Sequence, residues 1–476
     1  MVFSSLLFVF LFLPLNLLLY KLAPGIRVKN AVMLVFSLIF YAWGDPICLL
    51  LLVGMTFADW LISIHIYKSK KKGKSGKSGL WLMAFVNLGL LGVFKYGTFF
   101  LSNINAITGF PQKIPEILLP IGISFYTFQL ISYVVDVYRG DVPAQRNFGR
   151  LLLYVSLFHQ CIAGPIVRYS DVEAELQQRQ VTLNDLCDGI WRFCIGLAKK
   201  SILANTCALV ADSLMGAGAL SENVTVAGLW IGMLAFALQI YLDFSAYSDM
   251  AIGMGRMIGI HYLENFNHPY VSHSVTEFWR RWHISLGSFF RDYVYIPLGG
   301  NRKGALRTII NLFVVWFLTG FWHGASWNFI LWGLYFFVFL MIEKLFLLKL
   351  TNSCKPFGLI YLLLVVYFGW ILFRFETITD IAQVFKGIFG FGSYELWSIE
   401  TQAAVMPYVV ILAYSIIAST PIFRFIGEKV YELSFKSVTV TVVYGIGKII
   451  IPIVLLLLST AALAGDSYNP FLYFRF

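Results

Sequence analysis

Charge is scarce in this sequence: 36 Lys+Arg and 25 Asp+Glu make up only 13% of 476 residues. A soluble chain carries roughly a quarter charged residues, so an ordinary water-exposed enzyme is excluded. Catalytic and ligand signatures are scarce too. The six cysteines, Cys48, Cys161, Cys187, Cys194, Cys207 and Cys354, form no CxxC pair and mostly lie in apolar stretches, where the thiol behaves as a small hydrophobe. Neither a disulfide framework nor a zinc site is indicated, and no bound metal is expected. The sequence has no HExxH, no GxSxG elbow and no P-loop, and Gly253, Gly255 and Gly259 miss the GxGxxG spacing. Covalent catalysis by a signature Ser or Cys is therefore unsupported.

What the chain has in excess is apolar surface: 59% hydrophobic and 17% aromatic residues, with a mean hydropathy of +0.75. Apolar runs recur near residues 3–20, 31–43, 46–66, 80–102, 117–137, 151–166, 189–211, 225–255, 308–347, 357–373, 404–423 and 438–464. At about 20 residues per crossing, these predict an all-α, polytopic transmembrane protein with about eleven crossings plus re-entrant pieces. The whole chain, 1–476, reads as one integral-membrane domain. The run 308–347 is too long for one crossing and must break or bend, with Gly320, Gly324 and Gly333 as punctuation.

Subtracting 25 acids from 36 bases leaves +11. The bases gather in loops between apolar runs, as membrane orientation requires, so no nucleic-acid partner is expected. Lys21, Arg27 and Lys29 form one basic loop, and Lys68, Lys70, Lys71, Lys72, Lys74 and Lys77 another. Both are expected on the cytoplasmic side, which puts the N-terminus outside and makes Gly44-Asp45-Pro46 an external turn. Phe3 to Tyr20 lacks the flanks of a signal peptide and reads as a retained first span. Residues 168–188 carry mixed charge and suggest a surface helix. Residues 261–307 hold Arg280, Arg281, Arg291, Arg302, Lys303 and Arg307 and four of the seven histidines. This basic segment is expected to face the cytoplasm or to re-enter the bilayer lined by protein, where a charged donor would approach.

Ionisable groups inside apolar runs are costly and are the first functional candidates. They are Asp59, Asp136, His159, Asp243, Asp249, His323 and Glu343. His323 stands apart in Thr319-Gly-Phe-Trp-His-Gly-Ala-Ser-Trp327. The flanking glycines allow close approach, and Trp322 helps build an apolar wall in which an imidazole stays neutral, the form a general base needs. A core histidine bonded to a neighbouring helix fits the same residues, and local sequence leaves both open. His283 is the second candidate, in Thr276-Glu-Phe-Trp-Arg-Arg-Trp-His-Ile-Ser-Leu286. There Arg280, Arg281 and Arg291 could hold phosphates or a carboxylate in bidentate fashion, and Trp279 and Trp282 could stack on a ligand or anchor the segment at the interface. His65, His159, His261, His268 and His273 show no ligand spacing.

Several runs together resemble the membrane-bound O-acyltransferase family. They are Leu119-Pro-Ile-Gly-Ile-Ser-Phe-Tyr-Thr-Phe-Gln129, Ala163-Gly-Pro-Ile-Val-Arg168, Gln239-Ile-Tyr-Leu-Asp-Phe-Ser-Ala-Tyr-Ser-Asp249, Asn265-Phe-Asn-His-Pro-Tyr270, the Trp-Arg-Arg-Trp-His segment and Trp322-His-Gly-Ala325. The likeness runs in order to the closing Asn469-Pro-Phe-Leu-Tyr-Phe-Arg-Phe476. Within the family it is to the bacterial branch that acetylates alginate, cellulose or peptidoglycan. The resemblance implies a helical funnel through the bilayer, with the family's catalytic His at His323 and a second, more variable polar position at His283. Relatives often carry another His in the following span, where this chain has Tyr335-Phe336-Phe337, and Phe321 replaces a usual Leu.

The resemblance implies acyl transfer from a cytoplasmic thioester, acyl-CoA or an acyl carrier protein, to a hydroxyl of an exported polysaccharide or of an extracytoplasmic, esterase-like partner protein. His323 would take the hydroxyl proton, and donors near His283 or helix N-termini would stabilise the oxyanion. Arg280, Arg281, Arg291, Trp279 and Trp282 are the expected donor-binding residues, and Trp322, Asp243 and Asp249 the expected pocket residues. Membrane lipid and acyl donor are the other expected partners, and no resident cofactor is expected. The competing readings are a polysaccharide or lipid-linked sugar transporter, which would need repeated halves or broken helices in matching positions, and a non-catalytic scaffold of an export complex.

Overall fold

A computed structural model describes residues 1–44, 46–109, 117–161 and 164–465. Asp45 of the expected external turn, Ala163 of one family motif and the closing 469–476 motif lie outside the described residues. Among the described residues every regular element is helical. Among the described residues ten helices are long and apolar enough to cross a membrane, and a shorter apolar helix, Phe8–Leu22, precedes them. The chain is thus a multi-pass, all-α membrane protein.

Several elements differ in extent from the apolar runs that predict them. The short run at 31–43 is the end of a full helix, Gly25–Ala42. Its first turn carries Arg27, whose long stem can follow the helix while the charge reaches water. The run at 151–166 forms two short pieces, Phe148–Ser156 and Phe158–Cys161, broken at Leu157. The basic segment 261–307 holds short helices, Val275–Arg281 and Ile284–Phe290 among them, before the helix Ala305–His323 begins. Residues 168–188 hold the helix Tyr169–Gln177 and the start of Leu183–Ala198.

The chain divides into two compact units, one of residues 1–193 and 250–264, the other of residues 194–249 and 265–476. In the first, the polar groups met in apolar helices are bonded between helices. Asn87 Nδ2 donates to Asp59 Oδ2 at 2.8 Å, which explains a buried carboxylate without any catalytic role. Arg179 ties three elements together. Its Nε donates to Tyr20 Oη at 2.9 Å and to the Ile258 carbonyl at 3.0 Å, and its Nη1 donates to Asn30 Oδ1 at 2.7 Å. His261 is clasped beside it, with Nδ1 2.8 Å from Glu175 Oε1 and Nε2 3.3 Å from Asp185 Oδ1.

The second unit is built on an aromatic core in which Trp279, Trp282, Trp316, Trp332, Trp370, Phe336 and Phe373 pack at mostly inclined angles. Edge-to-face contacts of this kind add to simple area burial. The long run 308–347 is broken, as its glycines suggest: Ala305–His323 ends at extended Gly324, and Trp327–Ile342 returns from it. At the crossing of these helices, a Cβ on Gly320 would lie 2.3 Å from the Phe329 carbonyl oxygen, and one on Gly333 2.3 Å from that of Trp316. Only glycine at both positions permits this backbone approach, the small-residue packing common in membranes.

Candidate active site

His323 is the last residue of the Ala305–His323 helix. It is 7% exposed, so it is buried but not sealed. The rings of Trp322, Trp332 and Phe373 lie 5.1, 5.0 and 5.3 Å from its imidazole, all near perpendicular. The turn that follows is fixed by Asn328, whose Nδ2 donates to the Leu372 carbonyl at 3.1 Å. That bond ties the start of the returning helix to the Lys355–Arg374 helix.

His283 belongs to the same aromatic wall. Its ring is 6.0 Å from Trp322, the residue that also contacts His323, and 4.8 Å from Phe244. It is 2% exposed and has φ 44°, a left-handed conformation rare for a residue with a side chain. Burial lowers its proton affinity, which keeps the imidazole neutral.

The other expected site residues separate into distinct environments. Trp282 is buried in the aromatic core, and Trp279, partly buried, packs against Trp316 at 4.9 Å. Arg281 is engaged by Glu277 at 2.6 Å. Arg291 is exposed and forked onto Asp292, with Nε and Nη2 at 2.7 and 3.0 Å from its carboxylate. Arg280 is exposed. Asp243 and Asp249 are ion-paired with consecutive lysines: Lys200 Nζ is 2.9 Å from Asp243 Oδ1, and Lys199 Nζ is 2.9 Å from Asp249 Oδ2. Lys199 and Lys200 open a π-helical turn, Lys199–Ala204, which places both bases toward the acids of the Val226–Met257 helix.

Glu343 is structural. Its fully buried carboxylate accepts from Thr276 N at 2.8 Å, Thr276 Oγ1 at 2.7 Å and Val275 N at 2.5 Å. It thereby satisfies the first N–H groups of the helix that leads to His283. Ser274 caps the same helix by accepting from Glu277 N at 3.0 Å, and Glu277 accepts in turn from His273 N at 2.8 Å. The Ser-x-x-Glu spacing is the sequence signal for that start. Among the described residues no group of three or more His, Cys, Asp or Glu side chains is arranged to hold a metal.

The profile of the MBOAT, membrane-bound O-acyltransferase family, matches residues 143–379, which include both histidines. The chain is 40% identical over 491 aligned residues to "Probable alginate O-acetylase AlgI" of Pseudomonas putida, covering 100% of each. It is 32% identical to "Peptidoglycan O-acetyltransferase" of Helicobacter pylori over 85% of this chain and 82% of that one. It is also 30% identical to "Teichoic acid D-alanyltransferase" of Bacillus subtilis over 52% of this chain and 65% of the relative.

Proposed function

Since the chain belongs to the membrane-bound O-acyltransferase family and is an O-acyltransferase, we propose that it moves an acetyl group from a cytoplasmic thioester to a hydroxyl of an exported polysaccharide. The observation that carries this reading is His323 itself: a partly accessible imidazole at a helix break inside the most aromatic part of a membrane protein. His323 takes the proton of the acceptor hydroxyl as its oxygen attacks the thioester carbonyl. The C–S bond then breaks, and the thiolate leaves with the proton returned from the imidazolium. No covalent enzyme intermediate is needed.

The oxyanion requires a preorganised donor. Trp332 offers one: its Nε1–H is buried without a hydrogen-bond partner among the described residues, and its ring is 5.0 Å from His323. Of the expected donor-binding residues, exposed Arg280 suits a phosphate of coenzyme A or of a carrier protein's phosphopantetheine better than Arg281 and Arg291, whose guanidinium groups already hold carboxylates. Asp243 and Asp249, paired with Lys200 and Lys199, lie on the helix that carries Phe244 against His283. In this reading the protein lies in the bacterial inner membrane with its N-terminus outside, and 261–307 meets the donor from the cytoplasm. The acceptor is an alginate-like polymer, reached directly or through an extracytoplasmic esterase-like partner; the full-length similarity to a protein named for alginate O-acetylation favours it.

Mass spectrometry of the exported polymer, with and without the gene, tests the proposal. Loss of acetyl mass per sugar unit at unchanged polymer yield is the expected result. Unchanged acetylation with less polymer outside the cell would point to export instead.

A further inference from the structure

Asn265, the first residue of the Asn265-Phe-Asn-His-Pro-Tyr270 motif, is wholly buried and lies against His283. Its side-chain Oδ1 is 3.2 Å from His283 Nδ1, 2.9 Å from Ser285 Oγ and 3.2 Å from Ser285 N. A backbone N–H can only donate, so the amide atom facing Ser285 N must be the oxygen. The opposite end agrees, since Asn265 Nδ2 donates to Ser248 Oγ at 3.2 Å. The amide therefore cannot be flipped, and an amide oxygen can only accept. Ser285 Oγ, 3.4 Å from His283 Nδ1, gives its one hydrogen to the nearer Asn265 Oδ1, so Nδ1 must carry the proton. In a neutral imidazole the other nitrogen, Nε2, is left as a lone pair.

The surroundings hold this arrangement rigidly. Ile284 N donates to the Asn265 carbonyl and Asn267 N to that of Arg281, each at 2.9 Å, so two backbone bonds straddle His283. They keep it at φ 44°, a conformation costing about 1–2 kcal/mol for a residue with a Cβ. Such strain persists where neighbours over-determine it, commonly at functional sites. His283 Nε2 itself is buried with no hydrogen-bond partner among the described residues.

We infer that Asn265 is a positioning residue which fixes His283 as the Nδ1–H tautomer, so that Nε2 accepts a hydrogen bond from a second, non-reacting hydroxyl of the acceptor rather than donating one to the oxyanion. This rests on the proposed acyl transfer for the identity of the hydroxyl, and it reverses the donor role expected near His283. No bond is made or broken at His283; it orients the acceptor, while the proton of the reacting hydroxyl goes to His323.

The test uses the full-length protein in nanodiscs with 15N-labelled histidine, the His283 signal being assigned by its loss in His283→Gln. The expected signature is a protonated Nδ1 and an unprotonated Nε2; a protonated Nε2 overturns the inference. Asn265→Asp keeps an acceptor at Nδ1 but adds a negative charge that favours imidazolium. Its acyl-transfer onset should therefore move to higher pH, with the Nδ1–H signal retained, whereas Asn265→Leu should lose about 10²-fold or more. An Asn265→Asp pH profile identical to that of the unaltered protein reduces Asn265 to packing and overturns its positioning role. The tautomer signal does not depend on turnover, so failure of the acyl-transfer reading would show separately, as inactivity of the unaltered protein toward every thioester with the NMR signature intact.

Discussion

Gly320 and Gly333 bring two membrane helices into backbone contact: a Cβ added to Gly333 would lie 3.1 Å from the Cα of Gly320. His323 follows Gly320 by one helical turn, so the crossing sets the position of the imidazole relative to Trp332 and Phe373. Gly320→Ala must push the helices apart, at an overpacking cost of about 1–3 kcal/mol. A displacement of this kind near the reacting groups is expected to lower acyl transfer on the order of 10²-fold. Gly427→Ala, at a position with open space around it, should leave the rate unchanged in the same assay.

Lys200 and Asp243 are 1% and 2% exposed and pair at 2.9 Å. Removing one partner strands a buried charge, and Asp243→Asn should destabilise the protein by about 3–5 kcal/mol. Lys200→Met combined with Asp243→Asn removes both charges and should recover much of that loss. Thermal unfolding in detergent of the single and double variants gives the comparison; a double variant less stable than either single would contradict the pairing.

The boundary between what sequence reveals and what it hides runs through these residues. Asp243, Asp249 and Glu343 stand out as acids in apolar runs, but Lys199 and Lys200, the neutralising partners of the first two, lie unmarked within the run 189–211. The partners of Glu343 lie 67 residues away at Thr276, a distance no local pattern spans. The break after His323 was legible because glycine marks it. The role of Asn265 was not: the motif spells a family likeness, while the amide is oriented by the Ser285 N–H, brought to it only by the fold. Trp279 and Trp282 fit interface anchoring by type and core packing by placement, since alternation with arginine says nothing about which face a short helix buries.

Trp332→Phe keeps the ring and removes the indole N–H. If that N–H meets the oxyanion, kcat should fall about 10²–10³-fold with KM little changed. A variant with unaltered kcat would assign the oxyanion to another donor.

His261 bridges Glu175 and Asp185, and its hydrogen bond to Glu175, followed by that to Asp185, raises its pKa above the ordinary 6.5. The folded state thus holds the proton more tightly than the unfolded one. The stability this contributes is full below pH 6.5 and is lost as pH rises through the raised folded value. Melting temperature measured against pH should fall across that window, and His261→Gln should remove that part of the slope while leaving acyl transfer at acidic pH intact.

The most direct test is acyl transfer by His323→Ala in purified, membrane-reconstituted protein, with its amount and melting temperature checked against the unaltered chain. Loss of all turnover above background, in a variant that inserts and unfolds normally, is the predicted result. Turnover within a few-fold of the unaltered enzyme would show that the proton of the acceptor hydroxyl goes elsewhere and would contradict the account.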